Sequence, residues 1–162
     1  MKRRNFWIAF AVLALVAALG AARLYAWMNP HGTYNTGPSG LALSGYDPVA
    51  YFPEGGGAPL RGDDRFTAER EGRVYRFASE ENRARFVAAP SRYEPQFGGW
   101  CTYAVANGYK FHVDPESFLV QDDRLLLFYK GALGDAKGEY LKADADAELK
   151  SADTNWQTLR AD

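Results

Sequence analysis

The chain has 162 residues, 15% of them aromatic, and a formal net charge of −1. That is enough for one domain and an appendage. The charge is split: Lys2, Arg3, Arg4 and Arg23 precede residue 30, where there is no Asp or Glu, leaving 15 basic against 20 acidic residues beyond it. A domain of that sign has no electrostatic ground for binding nucleic acid.

Phe6 to Ala22 is an uncharged apolar run of 17 residues, and Leu24–Met28 continue it past Arg23. A spanning helix needs about 20 apolar residues, with a range of about 17–25. Arg23 can snorkel to the headgroups, and Phe6, Trp7, Tyr25 and Trp27 suit the two interfaces. Residues 1–28 therefore read as a membrane anchor or signal segment. Lys2, Arg3 and Arg4 predict a cytoplasmic N-terminus, a single pass through an inner membrane, and a domain facing the periplasm or cell exterior. Cleavage near Gly20, Ala21 and Ala22, or export as a twin-arginine signal through Arg3-Arg4, are the alternatives. Residues 29–40, rich in Pro, Gly and Asn, read as a spacer that carries a solvated His31.

The domain covers 41–162. Asp47-Pro48 is a turn or helix-entry signal, with Asp accepting backbone N–H groups and Pro tolerated at the first helical position. The Gly-rich loop at 53–59 lacks the ending of a phosphate loop. Phe66–Arg70 and Arg73–Ala78 flank Glu71-Gly72 as a hairpin, with Tyr75 and Phe77 on one face. Ser79 caps a helix anchored by Phe86, with Asn82 and Ala89 on the same face, and Pro90 ends it.

Four segments resemble one known family. They are Gly45-Tyr46-Asp47-Pro48-Val49-Ala50-Tyr51-Phe52, residues 75–86, Tyr93-Glu94-Pro95-Gln96-Phe97-Gly98-Gly99-Trp100-Cys101-Thr102-Tyr103-Ala104, and Ala152-Asp153-Thr154-Asn155-Trp156. Together they resemble a membrane-anchored YHS-domain protein over about residues 41–160. YHS domains of copper-transporting ATPases and some oxygenases are suspected metal modules built on cysteines. Carried over, those cysteines land on Ala50, Ala78 and Asn82, and the family's histidine on Arg76. The resemblance therefore implies the fold and removes the inherited metal site.

Cys101 is the lone cysteine, so no intramolecular disulfide exists. Its commonest role is as a small buried hydrophobe. A place at the start of a helix, after Gly98-Gly99, would lower its pKa, whereas an apolar setting would raise it. Tyr109–Val113 alternate like a strand. His112, Asp114 and Glu116 would then face one way, and Cys101, His112 and Asp114 could hold copper or zinc. The Asp114–Ser117 turn works against that shared facing. A Cys101–His112 catalytic or redox pair is a second possibility, and a structural interaction domain a third. The expected ligand or partner surface is Tyr46, Asp47, Tyr51, Gly98, Gly99, Trp100 and Tyr103. Phe118–Val120 and Leu125–Tyr129 form a second hairpin, whose Leu run reads as a strand buried on both faces. A last helix carries the apolar stripe Leu141, Ala145, Leu149, Ala152, Trp156 and Leu159. The expectation is an α+β domain: one small antiparallel sheet of two hairpins with about three helices, a transmembrane helix before it, binding a metal ion, small ligand or protein partner in the cell envelope.

Overall fold

A computed structural model describes residues 2–28, 30–37 and 40–161, with α1 side chains given at Ile8, Phe10 and from Val12 onward. Asn29, Pro38 and Ser39 of the expected spacer, and the side chains of Lys2, Arg3, Arg4, Phe6 and Trp7, lie outside the described residues. The chain divides into two compact units, Met1–Pro30 and His31–Asp162. The first is one helix, α1 (Lys2–Met28). Its apolar residues are spread round the whole circumference, unlike the single stripe of a helix packed on a core. Its described side chains, Leu13 and Val16 among them, are exposed. Among the described residues no helix is long and apolar enough to cross a membrane.

The second unit mixes helices with three two-stranded antiparallel sheets. β1 (Asp63–Arg70) pairs with β2 (Arg73–Phe77), followed by α2 (Glu80–Ala88) and α3 (Pro90–Tyr93). α4 (Thr102–Ala106) precedes β3 (Asp114–Gln121) and β4 (Arg124–Phe128). A miniature hairpin, β5 (Lys130–Gly131) and β6 (Gly134–Asp135), leads to α5 (Ala136–Lys142) and α6 (Ala145–Leu159). Both long hairpins close on two residues with positive φ, Glu71-Gly72 and Asp122-Asp123. That backbone matches the right-handed twist of the strands.

The hairpins do not join into one sheet, as the sequence suggested they would. The second strand of each instead takes a single parallel bridge from a segment upstream, Leu41 to Val74 and Pro95 to Leu125. β4 binds the unit together through side chains rather than a ladder. Leu125 and Leu127 enter a core with Val49, Tyr51, Phe52, Tyr75, Phe77 and Phe86. Leu126 and Phe128 point the other way, into a core with Phe97, Trp100, Val105, Tyr140, Leu149 and Ala152. All four are at most 1% exposed, so the Leu run is buried on both faces, as its continuous apolarity predicts.

Several local expectations change. Residues 109–113 are not a strand; β3 begins at Asp114 and includes the residues expected to turn. Pro90 opens α3 at its first position rather than only ending α2. Ala89 is exposed while Asn82 and Phe86 are buried. The tail is two helices, broken at Ala143-Asp144, where Asp144 caps α6 through the Asp146 and Ala147 N–H groups. The break puts Tyr140 in the core and leaves Leu141 exposed.

Residues 31–37 are a docked strap rather than a free spacer. The Asn35 N–H donates to the Gly98 carbonyl at 2.8 Å, its side-chain amide donates to the Gly99 carbonyl at 3.0 Å, and the Trp100 indole donates to the Gly32 carbonyl at 3.2 Å. The Tyr34 hydroxyl donates to Glu71 at 2.7 Å, and the Arg73 guanidinium lies over the Tyr34 ring. His31 is exposed, as expected of it.

Candidate functional site: a cleft over Cys101

The unit is built twice. Leu43, Ser44 and Gly45 form a left-handed turn before Tyr46-Asp47; Phe97, Gly98 and Gly99 form another before Trp100-Cys101. Each residue of the second set lies 54 positions after its counterpart. The same offset relates the bridging residues Leu41 and Pro95. The Asp47 N–H donates to the Leu60 carbonyl, and the Cys101 N–H to the Phe111 carbonyl. Leu60 and Phe111 each stand three residues before a hairpin whose first strand has eight residues and whose second has five. Each hairpin shifts register after its first aspartate, between Asp63 and Thr67 or between Asp114 and Phe118. Each of those aspartates accepts the N–H two residues on, from Arg65 and Glu116.

Asp47 and Cys101 are thus equivalent positions, and their side chains do equivalent work. The residue after each second strand donates its N–H back to them, Ala78 to Asp47 Oδ2 at 2.8 Å and Tyr129 to Cys101 Sγ at 3.3 Å. In the first half the arrangement is then closed. Asp47 Oδ1 accepts from the Val49 and Ala50 N–H groups, and the Asn82 amide donates to Oδ2 at 2.7 Å. A carboxylate with no exposed surface survives burial only with such partners.

In the second half it stays open. Only residues 78–79 separate β2 from α2, whereas 129–135 separate β4 from α5. Both helices are capped alike, Ser79 accepting from Asn82 N–H and Asp135 from Gly138 N–H. That spacing puts Gly138, which has no side chain, at the position Asn82 holds in α2. A half-open cleft of about 450 Å³ lies over Cys101, between α4, Tyr129 and the start of α5. Tyr103, Tyr109, Phe111 and Tyr129 supply its aromatic walls, and Asp135 and Glu139 its charge. Phe111 and Tyr129 meet edge to face at 5.1 Å, a favoured aromatic geometry.

Cys101 stands at the entry of α4, as expected, but is 1% exposed. Burial pushes its thiol pKa up, outweighing the nearby Ala104, Tyr129 and Tyr103 N–H groups that pull it down. Burial likewise raises the Tyr109 phenol. His112 lies against the Trp100 ring at 5.9 Å and lines a separate small cavity with Asn35, Arg73 and Tyr75. Asp114 turns its Oδ1 to the Glu116 N–H. The structure therefore does not gather Cys101, His112 and Asp114. Among the described residues, no three His, Cys, Asp or Glu side chains come together to hold a metal ion.

The expected ligand or partner surface is mostly interior. Asp47, Tyr51, Trp100, Tyr46 and Gly99 are buried, and Gly98 is covered by the strap. The Tyr46 hydroxyl donates to Glu116 at 2.7 Å and the Tyr51 hydroxyl to the Pro115 carbonyl at 2.9 Å, tying the first core to β3. Of that set only Tyr103 reaches the cleft. Sequence reasoning missed Tyr109, Phe111, Tyr129, Asp135 and Glu139 as cleft residues. The detectable signal was the 54-residue repeat of an apolar residue, two short steps and an aromatic before Asp47 and Cys101.

No family model, curated protein or solved structure matches the chain.

Proposed function

We propose that this chain is a non-catalytic, YHS-like binding module of the cell envelope, held to the inner membrane by residues 1–28, with a small ligand seated over Cys101. The observation that carries this is the cleft, which is left open where the other half of the fold fills the equivalent place with Asn82. Its volume of about 450 Å³ falls in the usual range for small-molecule sites, about 300–1,000 Å³. Its makeup, aromatic walls with a few polar groups, is also that of such sites. The raised thiol pKa of Cys101 counts against a thiolate nucleophile, because the thiolate is the reactive form. The tether rests on the sequence alone, on the apolar run Phe6–Ala22 and on Lys2, Arg3 and Arg4, since among the described residues no helix is long and apolar enough to cross a membrane.

The test is a compound panel titrated into the full chain in detergent micelles and followed by backbone amide NMR. Saturable shifts at Tyr103, Tyr109, Phe111 and Tyr129, lost in Ala136→Phe, which fills the cleft, are the expected result. A panel that perturbs none of these residues overturns the reading. Membrane fractionation and protease accessibility of the 31–162 region test the tether separately. Recovery of the intact chain in a cytosolic fraction removes that part.

A further inference from the structure

We infer that the cleft over Cys101 selects an organic cation, of the alkylated-ammonium class. The inference rests on the small-ligand reading above and names its chemistry. Four aromatic residues, Tyr103, Tyr109, Phe111 and Tyr129, line one cavity together with two acidic ones, Asp135 and Glu139. No Lys, Arg or His lines it. A cation over ring faces is attracted by their negative quadrupole, and the attraction grows as water is excluded. An alkylated ammonium suits such walls better than a hydrated metal ion, because its charge is spread over carbon and it needs no ligand set. This agrees with the lack of a metal-holding cluster among the described residues.

The carboxylates are free enough to serve. Asp135 uses Oδ1 to cap α5. Glu139 pairs with Lys142 at 2.8 Å, but both side chains are more than half exposed. Such surface pairs contribute little, so a ligand cation can replace the lysine. The nearby Lys137 is turned away, with its ammonium over the Phe118 ring. An anionic ligand would meet two like charges and no counter-charge from the lining.

The tertiary duplication makes the same point. In the first half an amide NH2, a donor, approaches Asp47 from α2. In the second half the equivalent helix position is Gly138, which supplies no side-chain donor, and the charged residues lining the cleft are Asp135 and Glu139.

Two probes of one shape decide it: choline, and its neutral isostere 3,3-dimethylbutan-1-ol. Both are titrated into the full chain in micelles, with amide shifts at the cleft residues as readout. Choline is expected to bind at least tenfold more tightly than the isostere. The double variant Asp135→Asn/Glu139→Gln should weaken choline about tenfold and leave the isostere unchanged; Asn keeps the cap on α5, so the fold is preserved. Tyr109→Leu, at a half-exposed rim position, should weaken choline about fivefold with no change in the thermal midpoint. Equal affinity for the two probes overturns the cation inference and leaves the small-ligand reading standing. Silence from both probes also overturns the inference; if the compound panel is silent too, the small-ligand reading falls with it.

Discussion

The two halves of the domain share a backbone plan and differ in how they finish it. Around Asp47, four donors meet one fully buried carboxylate, from Val49, Ala50, Ala78 and Asn82. Around Cys101, a thiol meets the N–H groups of Tyr103, Ala104 and Tyr129 but no side-chain donor from the following helix, and a cleft lies over it. Duplication supplies the frame; one copy is filled by Asn82 and the other carries the cleft proposed as a site. The residue that looks chemical in sequence, a lone cysteine, is the floor of that site. The residue that looks like a simple cap, Asp47, is the hub of the closed half.

If this contrast is right, damage to the closed half costs stability and damage to the open half costs binding. The largest effect should come from Asp47→Ala. It leaves several buried donors without an acceptor, each worth about 1–3 kcal/mol, so a loss of about 4 kcal/mol in urea denaturation of the full chain is expected. A loss below about 1 kcal/mol would mean that Asp47 is no hub, and the contrast fails.

Next comes Gly98→Ala. A Cβ there would lie 2.0 Å from the Thr33 carbonyl oxygen, at a φ of +62°. Ser44, its counterpart, is exposed and carries a side chain at the same kind of φ, so the constraint comes from the strap. Backbone strain alone is worth about 1–3 kcal/mol. The expected outcome is a loss of about 2 kcal/mol with faster proteolysis between residues 31 and 40. Unchanged proteolysis would detach the strap from the argument.

Cys101→Ala should cost about 1–2 kcal/mol, because the Tyr129 N–H loses its acceptor. It also changes the pH dependence. Since burial raises the folded-state pKa of Cys101 above its unfolded value, its contribution is fully present below the unfolded pKa of about 8.5 and is lost as pH rises through the folded value. The wild-type chain should therefore lose stability from about pH 8.5 upward, and that first part of the alkaline slope should be missing in Cys101→Ala. The buried Tyr140 phenol, raised to about 12, adds its own loss at higher pH in both. A flat wild-type profile between pH 8 and 10 would remove the buried neutral thiol.

The smallest stability effect belongs to Tyr109→Ala. Tyr109 is 51% exposed, and surface changes of this kind usually stay within about 0.5 kcal/mol. A near-silent denaturation curve combined with lost cleft binding would sharpen the contrast most. A large destabilisation would place Tyr109 in the core instead.

Much of the local structure was legible from residues alone. The Glu71-Gly72 turn, the Ser79 cap and the continuous apolar run of β4 each follow from short-range rules, and each appears where expected. Buried partners were not legible. The Asp47 carboxylate reads as a turn cap because its nearest donors, Val49 and Ala50, are adjacent in the chain, while Ala78 and Asn82 reach it only through the fold. The separation of Cys101 from His112 is of the same kind, since a thiol eleven positions from an imidazole looks close until α4 and an irregular segment intervene.

The sequence by itself determined the hairpin turns, the Ser79 helix cap, the double burial of β4 and the position of the single thiol at a helix entry. Those depend on backbone φ preferences and on apolar periodicity, which act over a few residues. Tertiary structure alone decided that Asp47 is sealed, that residues 31–37 are a strap, that burial outweighs the helix entry at Cys101, and that the second half keeps a cavity. Those outcomes depend on which groups meet across long stretches of chain. There, a difference of five residues in one connection, 129–135 against 78–79, changes a filled hydrogen-bond hub into an open cleft.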